Sequence, residues 1–331
     1  MEAIRFGLPG GLHLAPGTEC SMDLVSVVVP TLNRPAPLRR AIESLAKQVG
    51  SDDFAFEVIV VDNSADGTAK APVAEMATHI DIPVRYLHQP NPGVSIARNT
   101  GVRAAKGRWV AFLDDDEEAE PTWLSSLVTT VRKTSADAVF GPVIAKGERF
   151  DSMQGFAPYF SRQIELPDGT DITKRVAYLG TNNSMFDRLR CLQEIAPFDE
   201  SLNSTGGEDS LLLKRLAIAG RKFCWAPEAR VVEWVPESRL NWGYVCKRKF
   251  LSGQIRVFVL GMLQPVRWLE IACWMAIGAV QLSLGAMAML VFMPFRGPRY
   301  ARASVTFFAG LGKVLWLPRF RPALYGSGLI S

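Results

Sequence analysis

Cysteine is scarce in this sequence, and its placement argues against two kinds of scaffold. The five cysteines among the 331 residues lie far apart and form no CxxC pair, so neither a zinc cluster nor a disulfide framework is indicated. This usage fits a reducing compartment. The net charge of +4 is also too small to indicate nucleic-acid binding, so we expect no nucleic acid among the partners.

The first residues lack the continuous apolar core of a signal peptide, because Gly and Pro interrupt their middle. Their GLPGG stretch follows no strand pattern and does not predict a dinucleotide-binding turn. We expect residues 1–21 to form a flexible leader and the folded domain to begin at Met22.

From Leu24 onward, short β-branched runs such as LVSVVVP, FEVIVVD and WVAFLD alternate with stretches of helical period. The alternation predicts a doubly wound α/β fold whose sheet is mixed, mostly parallel and covered on both faces. Ligands of such sheets bind beyond the carboxyl ends of the strands, and polar residues follow three of the expected strands. These residues are Thr31, Asn33, Arg34, Asp62, Asn63, Ser64, Asp114, Asp115 and Asp116.

Residues 112–121, FLDDDEEAEP, gather six acidic side chains behind an apolar run. Carboxylates crowded at a strand end raise one another's pKa unless a cation neutralises them. Mg²⁺ and Mn²⁺ take hard oxygen ligands, commonly one or two carboxylates together with substrate phosphates. The alternative is an acidic turn that caps the helix expected near Pro121. We expect both, with Glu118 and Glu120 as caps and the aspartates as metal ligands.

Four motifs in register resemble the family 2 glycosyltransferases with the GT-A fold: VSVVVPTLNR, FEVIVVDNS, NPGVSIARNTGVRAAKGRWVAFLDDD and GGEDSLLLKRL. The resemblance covers about residues 24–255. It implies a glycosyltransferase domain at 22–255, with a nucleotide-sugar-binding half at 22–133 and an acceptor half at 134–255. The activity implied is inverting, metal-dependent transfer of one hexose from a nucleotide diphosphate sugar, with UDP favoured.

The resemblance also implies which residues hold the donor. Its first loop approaches the nucleotide, an acid after the second strand contacts the base, and arginines downstream lie near the diphosphate. Asn63 stands where many relatives have a second aspartate, which leaves the base open, and Arg98 is about as well explained as a surface arginine. The implied nucleotide-sugar-binding residues are Pro30, Thr31, Asn33, Arg34, Asp62, Asn63, Arg98, Asp114, Asp115, Arg239 and Arg248.

The Asp114-x-Asp116 pair is similar to the family's metal motif, with Asp116 as the direct ligand and Asp114 beside it. Many relatives place a metal-binding histidine where this sequence has Glu233, in VVEWV. A glutamate oxygen suits Mn²⁺ or Mg²⁺, so Glu233 is either a substitute ligand or an ordinary strand residue, and the two are equally supported.

Glu208 and Asp209 resemble the family's ED motif, which implies that Asp209 is the general base for the acceptor hydroxyl. The alternative is that the two acids interact favourably with the dipole at a helix N-terminus. This would explain their presence, but not their register with the other motifs. The stretch LGTNNSMFDR falls where the family forms its acceptor pocket. The expected acceptor-binding residues are Thr181, Asn182 and Asn183.

Between Ile271 and Met293 the chain has 23 residues without one charge, which is long enough to cross a bilayer. Basic residues flank this stretch on both sides, which favours a re-entrant or in-plane helix pair over simple crossing. A buried helix of a soluble core is the alternative. We therefore expect residues 256–331 to form a membrane-associated helical tail at the cytoplasmic face of the inner membrane, with a lipid-linked saccharide of polysaccharide biosynthesis as the acceptor.

Two other functions were weighed. A nucleotidyltransferase would also use a doubly wound sheet and acid-bound metal, but it usually carries a glycine-rich phosphate loop, and PTLNRPAP has no glycine. A non-catalytic membrane-bound scaffold would tolerate loss of the acids, yet Asp114, Asp116 and Asp209 are all present. The QxxRW motif of processive synthases is absent, so addition of a single sugar is expected.

Overall fold

The computed structural model describes residues 23–50, 53–147, 153 and 155–320. The expected leader at 1–21 and Met22 lie outside these residues. The strands are β1 (Asp23–Thr31), β2 (Phe54–Asp62), β3 (Val84–His88), β4 (Trp109–Phe112), β5 (Glu117–Ala119), β6 (Ala138–Phe140), β7 (Val143–Gly147), β8 (Ser184–Asp187), β9 (Phe223–Trp225) and β10 (Val231–Val235). The α-helices are α1 (Pro35–Ala46), α2 (Lys70–Met76), α3 (Val94–Ala104), α4 (Trp123–Thr134), α5 (Ala157–Phe160), α6 (Arg188–Cys191), α7 (Glu208–Ile218), α8 (Trp242–Gly261), α9 (Trp268–Phe292) and α10 (Pro298–Val314). The 3₁₀ turns are Thr173–Tyr178, Glu200–Leu202, Glu237–Arg239 and Pro318–Phe320.

The main sheet has seven strands in the order β3-β2-β1-β4-β8-β6-β9. β8 is antiparallel to both of its neighbours, and the other four pairs are parallel. The predicted mixed, mostly parallel sheet is therefore confirmed. Because β1, β2 and β4 are parallel neighbours, their carboxyl ends meet at one edge, and this edge carries the polar residues singled out above.

Both faces of the main sheet are covered, as the apolar strand sequences predict. Successive side chains of a strand point to opposite faces. Val27 of β1 packs into a core with Leu38 and Trp123 from α1 and α4, while its neighbour Val28 packs into a second core with Phe112. The sheet is thus a rigid, dry platform under the polar edge.

A second sheet of three strands, in the order β5-β10-β7, lies beside this edge. Glu117 in β5 and Glu233 in β10 are register partners in an antiparallel pair. The pairing corrects one expectation, because Glu118 lies in a strand and forms an ion pair with Arg40 at 3.2 Å. Helix α4 begins only at Trp123 and has no acidic residue in its first turn, so the predicted capping by Glu118 and Glu120 is wrong.

The last three helices pack on one another, with α10 between α8 and α9. A Cβ on Gly278 of α9 would lie 2.7 Å from the Lys313 Cβ, so the absence of a side chain there permits the close approach of α9 and α10. The predicted boundary between residues 255 and 256 falls inside α8 and stays a prediction.

Helix α9 is the one helix among the described residues that is long and apolar enough to cross a membrane. Only 11% of its most apolar window is buried, and Leu269 and Leu290 are 84% and 72% exposed. A helix of a soluble core would be mostly buried. The alternative of a buried core helix is therefore wrong for α9.

Candidate functional site

The first loop and the acidic turn meet at the end of β1. Thr31 Oγ1 donates a hydrogen bond to Asp115 Oδ2 at 2.7 Å. The Arg34 guanidinium donates to Asp115 at 3.3 Å and to Asp116 at 3.0 Å. Pro30 is half-buried at the end of the strand. The structure thus places Thr31 and Arg34, two of the four predicted first-loop residues, against the aspartates.

Arg98 connects the two acidic motifs. Its Nη1 donates to Glu208 Oε1 at 2.7 Å, and its Nη2 donates to Asp114 Oδ1 at 3.2 Å. The arginine is buried on α3 and is not the surface residue that was weighed as an alternative. Because one guanidinium spans both carboxylates, Asp114 and the Glu208-Asp209 pair belong to one cleft.

Asp209 lies next to Glu208 in the first turn of α7. A Cβ on Gly180 would lie 3.3 Å from Asp209 Oδ2, so the base candidate sits beside the loop that contains Thr181. Gly207, with φ of 96°, precedes the pair and packs against Ile255 and Phe258 of α8. A left-handed turn favours glycine, and it aims the acids at the cleft.

Burial and mutual repulsion raise the pKa values of several carboxylates in the cleft. Burial raises the pKa of Asp115 to about 7, with Asp116 adding to the effect and Arg34 opposing it. Burial also raises the pKa of Glu208 to about 7, with Asp209 adding and Arg98 opposing. Burial likewise raises the pKa of Asp116. Ionised together, these groups favour the binding of a cation.

Glu117 is a member of the cleft that the sequence reasoning missed. It is buried, its Oε2 accepts from the Asp114 backbone N–H at 3.0 Å, and its Oε1 accepts from Asn182 Nδ2 at 2.9 Å. Burial raises its pKa well above the ordinary value, and Asp114 adds to this. The available signal was its position directly behind Asp116, which we had counted only as part of an acidic run.

Arg162 was missed as well, because it lies in an irregular stretch without a motif. Its guanidinium donates to the backbone carbonyls of Gly141, Gly180, Asn182 and Asn183 and to the Asn182 side chain. Burial lowers its pKa, and nearby carboxylates, Glu117 first, oppose that shift. Arg162 therefore fixes the 180–183 loop and places a cation under it.

Asp62 and Asn63 use their polar atoms inside the protein. The Asp62 carboxylate is fully buried and accepts from the Ser64 and Ala69 backbone N–H groups and from the Tyr86 hydroxyl. The Asn63 amide donates to two backbone carbonyls, of Gln89 and Asn91, and accepts from the Gly93 N–H. These hydrogen bonds fix the loops that follow β2 and β3, and the contact of Asp62 and Asn63 with a nucleotide base stays a prediction. The exposed Asn33, with φ of 56°, lies at the outer edge.

The expected acceptor residues differ in exposure. Asn183 is fully buried, donating to Pro142 and Ala229 carbonyls and accepting from Trp123 Nε1. Thr181 is also fully buried, whereas Asn182 is half-buried. Only Asn182 of the three faces the cleft, where it contacts Glu117.

Among the residues that the structure describes, no group of three His, Cys, Asp or Glu side chains is arranged to hold a metal ion. The chemistry of the cleft still fits a cation that takes one or two protein carboxylates and completes its shell with substrate phosphates. Burial, with Asp116 and Asp114 adding, raises the pKa of Glu233 to about 7. Arg248 opposes this shift from α8, where its guanidinium stacks on Phe160 at 4.8 Å.

The family model described as "Glycosyl transferase family 2" matches residues 26–185. Succinoglycan biosynthesis protein ExoM of Rhizobium meliloti is 34% identical over 234 residues, which cover 70% of this chain and 73% of that protein. Glycosyltransferase AglE of Haloferax volcanii is 27% identical over 267 residues, 78% of this chain and 82% of that protein. The crystal structure of S. aureus TarS 1-349 in complex with UDP aligns with a TM-score of 0.48 and 20% identity, covering 87% of this chain and 90% of that one.

The matched region begins in β1, passes through Arg98 and the acidic turn, and ends in β8. The ExoM alignment exceeds 30% identity and spans more than two thirds of both proteins. The chain belongs to glycosyl transferase family 2.

Proposed function

We propose that this glycosyltransferase moves one hexose, with inversion, from a nucleotide diphosphate sugar to a lipid-linked saccharide in polysaccharide biosynthesis. UDP is the expected nucleotide. The observation that carries the proposal is the Arg98 bridge, which joins Asp114 on the donor side to Glu208, the residue before Asp209, on the acceptor side. The similarity to a succinoglycan biosynthesis protein supports the polysaccharide context.

Asp209 is the general base in this proposal. Inverting transfer needs a carboxylate on the side of the sugar ring opposite the leaving group, where it takes the proton of the attacking hydroxyl. Asp209 is half-buried beside Gly180 and Asn182, so an acceptor hydroxyl held by this loop would reach it. Glu208 points to Arg98 and holds the turn that carries Asp209.

The donor diphosphate belongs on the opposite side, against Asp116. Asp116 and Asp114 would hold Mn²⁺ or Mg²⁺, with Glu233 as a further carboxylate. When bound, the cation would stabilise the charge that gathers on the leaving diphosphate. Arg34 lies 3.0 Å from Asp116 and Arg239 lies 3.8 Å from it, so two guanidinium groups flank the same position.

The C-terminal helices suit an acceptor carried by lipid. Exposure of the apolar side chains of α9 to water is unfavourable in free energy, and a bilayer that covers them would remove this cost. Arg267, Arg296 and Arg299 lie at the two ends of α9, where anionic headgroups would meet them. Basic residues lie at both ends of α9, and α10 packs against it. Both features favour contact with the cytoplasmic face of the membrane over a simple crossing.

The alternatives agree less well with these observations. A nucleotidyltransferase is inconsistent with membership of glycosyl transferase family 2. A scaffold that had lost catalysis would not need a base candidate at the cleft, a cation that spans both acidic motifs, and a buried acid at Glu117.

The test is Asp209→Asn in membranes supplied with radiolabelled nucleotide sugars, followed by extraction of the lipid product. We expect transfer to fall by about 100-fold or more, because a general base commonly contributes this much. Donor affinity should stay near the wild-type value, since the carboxamide keeps the shape and Asp209 touches no phosphate in the proposal. Wild-type transfer should also require added Mn²⁺ or Mg²⁺.

Glu228→Gln is the matched control, because Glu228 is an exposed acid whose ion pair with Arg230 lies at the surface. Its transfer rate should equal that of the wild type. Full activity of Asp209→Asn would remove the proposed base and with it the mechanism.

A further inference from the structure

Two helices bring four cations near one another, and one of the four, Arg256, contacts the residues that lead into the loop at 180–183, which we call the acceptor loop. Lys249 and Arg256 lie on α8, and Arg302 and Lys313 lie on α10; we call them the basic cluster. Burial lowers the pKa of Lys249, and Arg248 and Arg256 lower it further. Arg302 and Lys249 both lie near the Tyr159 ring, the ammonium of Lys249 at 5.6 Å from its centroid.

Among the described residues, none of these four cations forms a salt bridge with a carboxylate. Lys313 donates to Gln281 and to a backbone carbonyl instead. The situation is the reverse of the catalytic cleft, where Arg34, Arg98 and Arg239 each form an ion pair with a carboxylate. Like charges held together without counter-charges are stabilised by a bound anion.

Arg256 is held by two aromatic rings and one hydrogen bond. Its guanidinium lies 4.6 Å from the centroid of the Tyr178 ring and 4.8 Å from that of the Trp274 ring, and its Nη2 donates to the Ala177 carbonyl at 2.9 Å. Stacking between two rings holds the group in place without neutralising its charge. A fixed, planar fork of donors suits phosphate oxygens.

The position of Arg256 joins three parts of the molecule. Ala177 and Tyr178 lead into the loop at 180–183, and Trp274 belongs to the exposed apolar helix α9. Ile255, next to Arg256, packs against Gly207 in front of the catalytic pair. An anion at Arg256 would therefore lie between the membrane-facing helix and the acceptor side of the cleft, while the donor diphosphate lies near Arg34 and Arg239.

We propose that the basic cluster, centred on Arg256, binds the phosphate group that links the acceptor saccharide to its lipid. This inference rests on the proposed function, which supplies the lipid-linked acceptor. The hydrocarbon chain would follow the exposed face of α9, and the saccharide would extend past Tyr178 toward Asp209. Bulk anionic phospholipid offers the same phosphate chemistry, so the experiment has to separate the two sources.

The first measurement is binding of farnesyl diphosphate to the full chain in neutral detergent, with Mn²⁺ and UDP in excess to fill the donor site. Farnesol is the uncharged counterpart. We expect Arg256→Gln to weaken farnesyl diphosphate binding by about tenfold or more, the usual value of a charge-assisted hydrogen bond. Arg256→Lys keeps the charge but loses the planar pair of donors, so its affinity for farnesyl diphosphate should lie between those of the wild type and Arg256→Gln. An intermediate affinity also shows that the loss in Arg256→Gln is not a folding defect.

Arg108→Gln is the matched control, since Arg108 precedes β4, outside the basic cluster and the C-terminal helices, and its guanidinium lies 5.1 Å from the centroid of one ring, Trp109. It should bind farnesyl diphosphate as the wild type does. Unchanged binding by Arg256→Gln, or equal affinity of the wild type for farnesol, would overturn the proposal.

The second measurement distinguishes the phosphate of a lipid-linked acceptor from the headgroups of bulk anionic phospholipid. Vesicles of phosphatidylglycerol and of phosphatidylcholine are offered to the wild type and to Arg256→Gln without farnesyl diphosphate. Equal vesicle binding by the two proteins supports a dedicated acceptor site. A loss on phosphatidylglycerol as large as the loss of farnesyl diphosphate affinity would make the cluster a general headgroup surface and overturn the proposal.

Transfer assays then tell this inference apart from the proposed function. A wild type that transfers sugar to lipid-linked acceptors, with an Arg256→Gln variant of unchanged acceptor KM, would overturn the inference alone. A raised KM with kcat little changed supports it. A wild type that transfers to no lipid-linked acceptor while transferring to soluble saccharides would overturn the proposed function and this inference with it.

Discussion

The catalytic cleft and the C-terminal helices differ in the kind of surface that they expose. In the cleft, the carboxylates named above outnumber the arginines beside them, and burial raises the pKa of Asp115, Glu208 and Glu233 to about 7. On α9, large apolar side chains such as Leu269 and Leu290 are exposed. The first surface needs positive charge and the second needs an apolar solvent.

The two regions therefore favour different partners. Buried charges that lack counter-charges are costly, and a cation relieves that cost. Exposed apolar area is costly in water, and a bilayer relieves it. Substitutions in the cleft should therefore change folding stability and chemistry together, whereas substitutions on α9 should change membrane binding alone.

The largest effect is expected at Arg98, whose removal leaves Glu208 buried without its cation. Arg98→Gln should lower the free energy of unfolding by about 3–5 kcal/mol, the usual cost of breaking a buried pair from one side. Urea unfolding of the purified chain at pH 7 measures this. The double variant Arg98→Met/Glu208→Met should recover much of the lost stability and none of the activity, and simple addition of the two single losses would contradict the pairing.

An intermediate effect is expected from pH acting on Glu208. Its pKa of about 7 in the folded chain exceeds the ordinary value near 4.3. Between these two pH values, Glu208 keeps its proton in the folded chain and loses it in the unfolded chain. The contribution of this group to stability is complete below about pH 4 and falls as pH rises to about 7.

Glu208→Gln carries a permanently neutral group, so it should lose less stability between pH 5 and pH 8 than the wild type. We expect a difference on the order of 1–3 kcal/mol, measured as unfolding free energy at both pH values. Parallel curves for the two proteins would mean that Glu208 does not titrate in this range. Glu75→Gln, at a surface ion pair with Arg39, is the control.

The smallest effect on folding is expected on α9. The double variant Leu284→Ser/Leu290→Ser should change the free energy of unfolding in water by no more than about 0.5 kcal/mol, since both side chains are exposed. Flotation with phosphatidylglycerol vesicles should nevertheless fall clearly, because apolar area enters the bilayer. Leu189→Ser, at a similarly exposed leucine in α6, should float as the wild type does, and equal flotation of all three proteins would remove α9 from the membrane contact.

The strands and the acidic motifs could be predicted because both are local patterns. Alternating β-branched and helical stretches predicted β1, β2 and β4, and the rule that ligands bind at carboxyl ends placed Asp114 and Asp116 at the edge. The ED pair was found by its register with these motifs. The same local view misplaced Glu118 and Glu120, because it could not include a pairing with β10, more than 100 residues away.

The side-chain partners in the cleft could not be predicted in this way. Asn63 and Asn183 have the residue type expected of ligand contacts, yet both amides are used to fix loops. Arg162 has no motif, yet it holds the loop beside Asp209. An amide or a guanidinium is equally able to bind a substrate or a backbone carbonyl, and only its neighbours in space decide between them.

The alternation of strands and helices along the chain, the acidic residues at strand ends and the apolar length of α9 could be predicted from the sequence, since periodicity and composition are patterns of neighbouring residues. Tertiary structure alone decided that Arg98 spans the two acidic motifs, that Glu117 is buried in the cleft, and that Arg256 stacks between the acceptor loop and α9. These contacts join residues far apart in the chain, and their strength depends on burial and distance, which the chain acquires only when it folds.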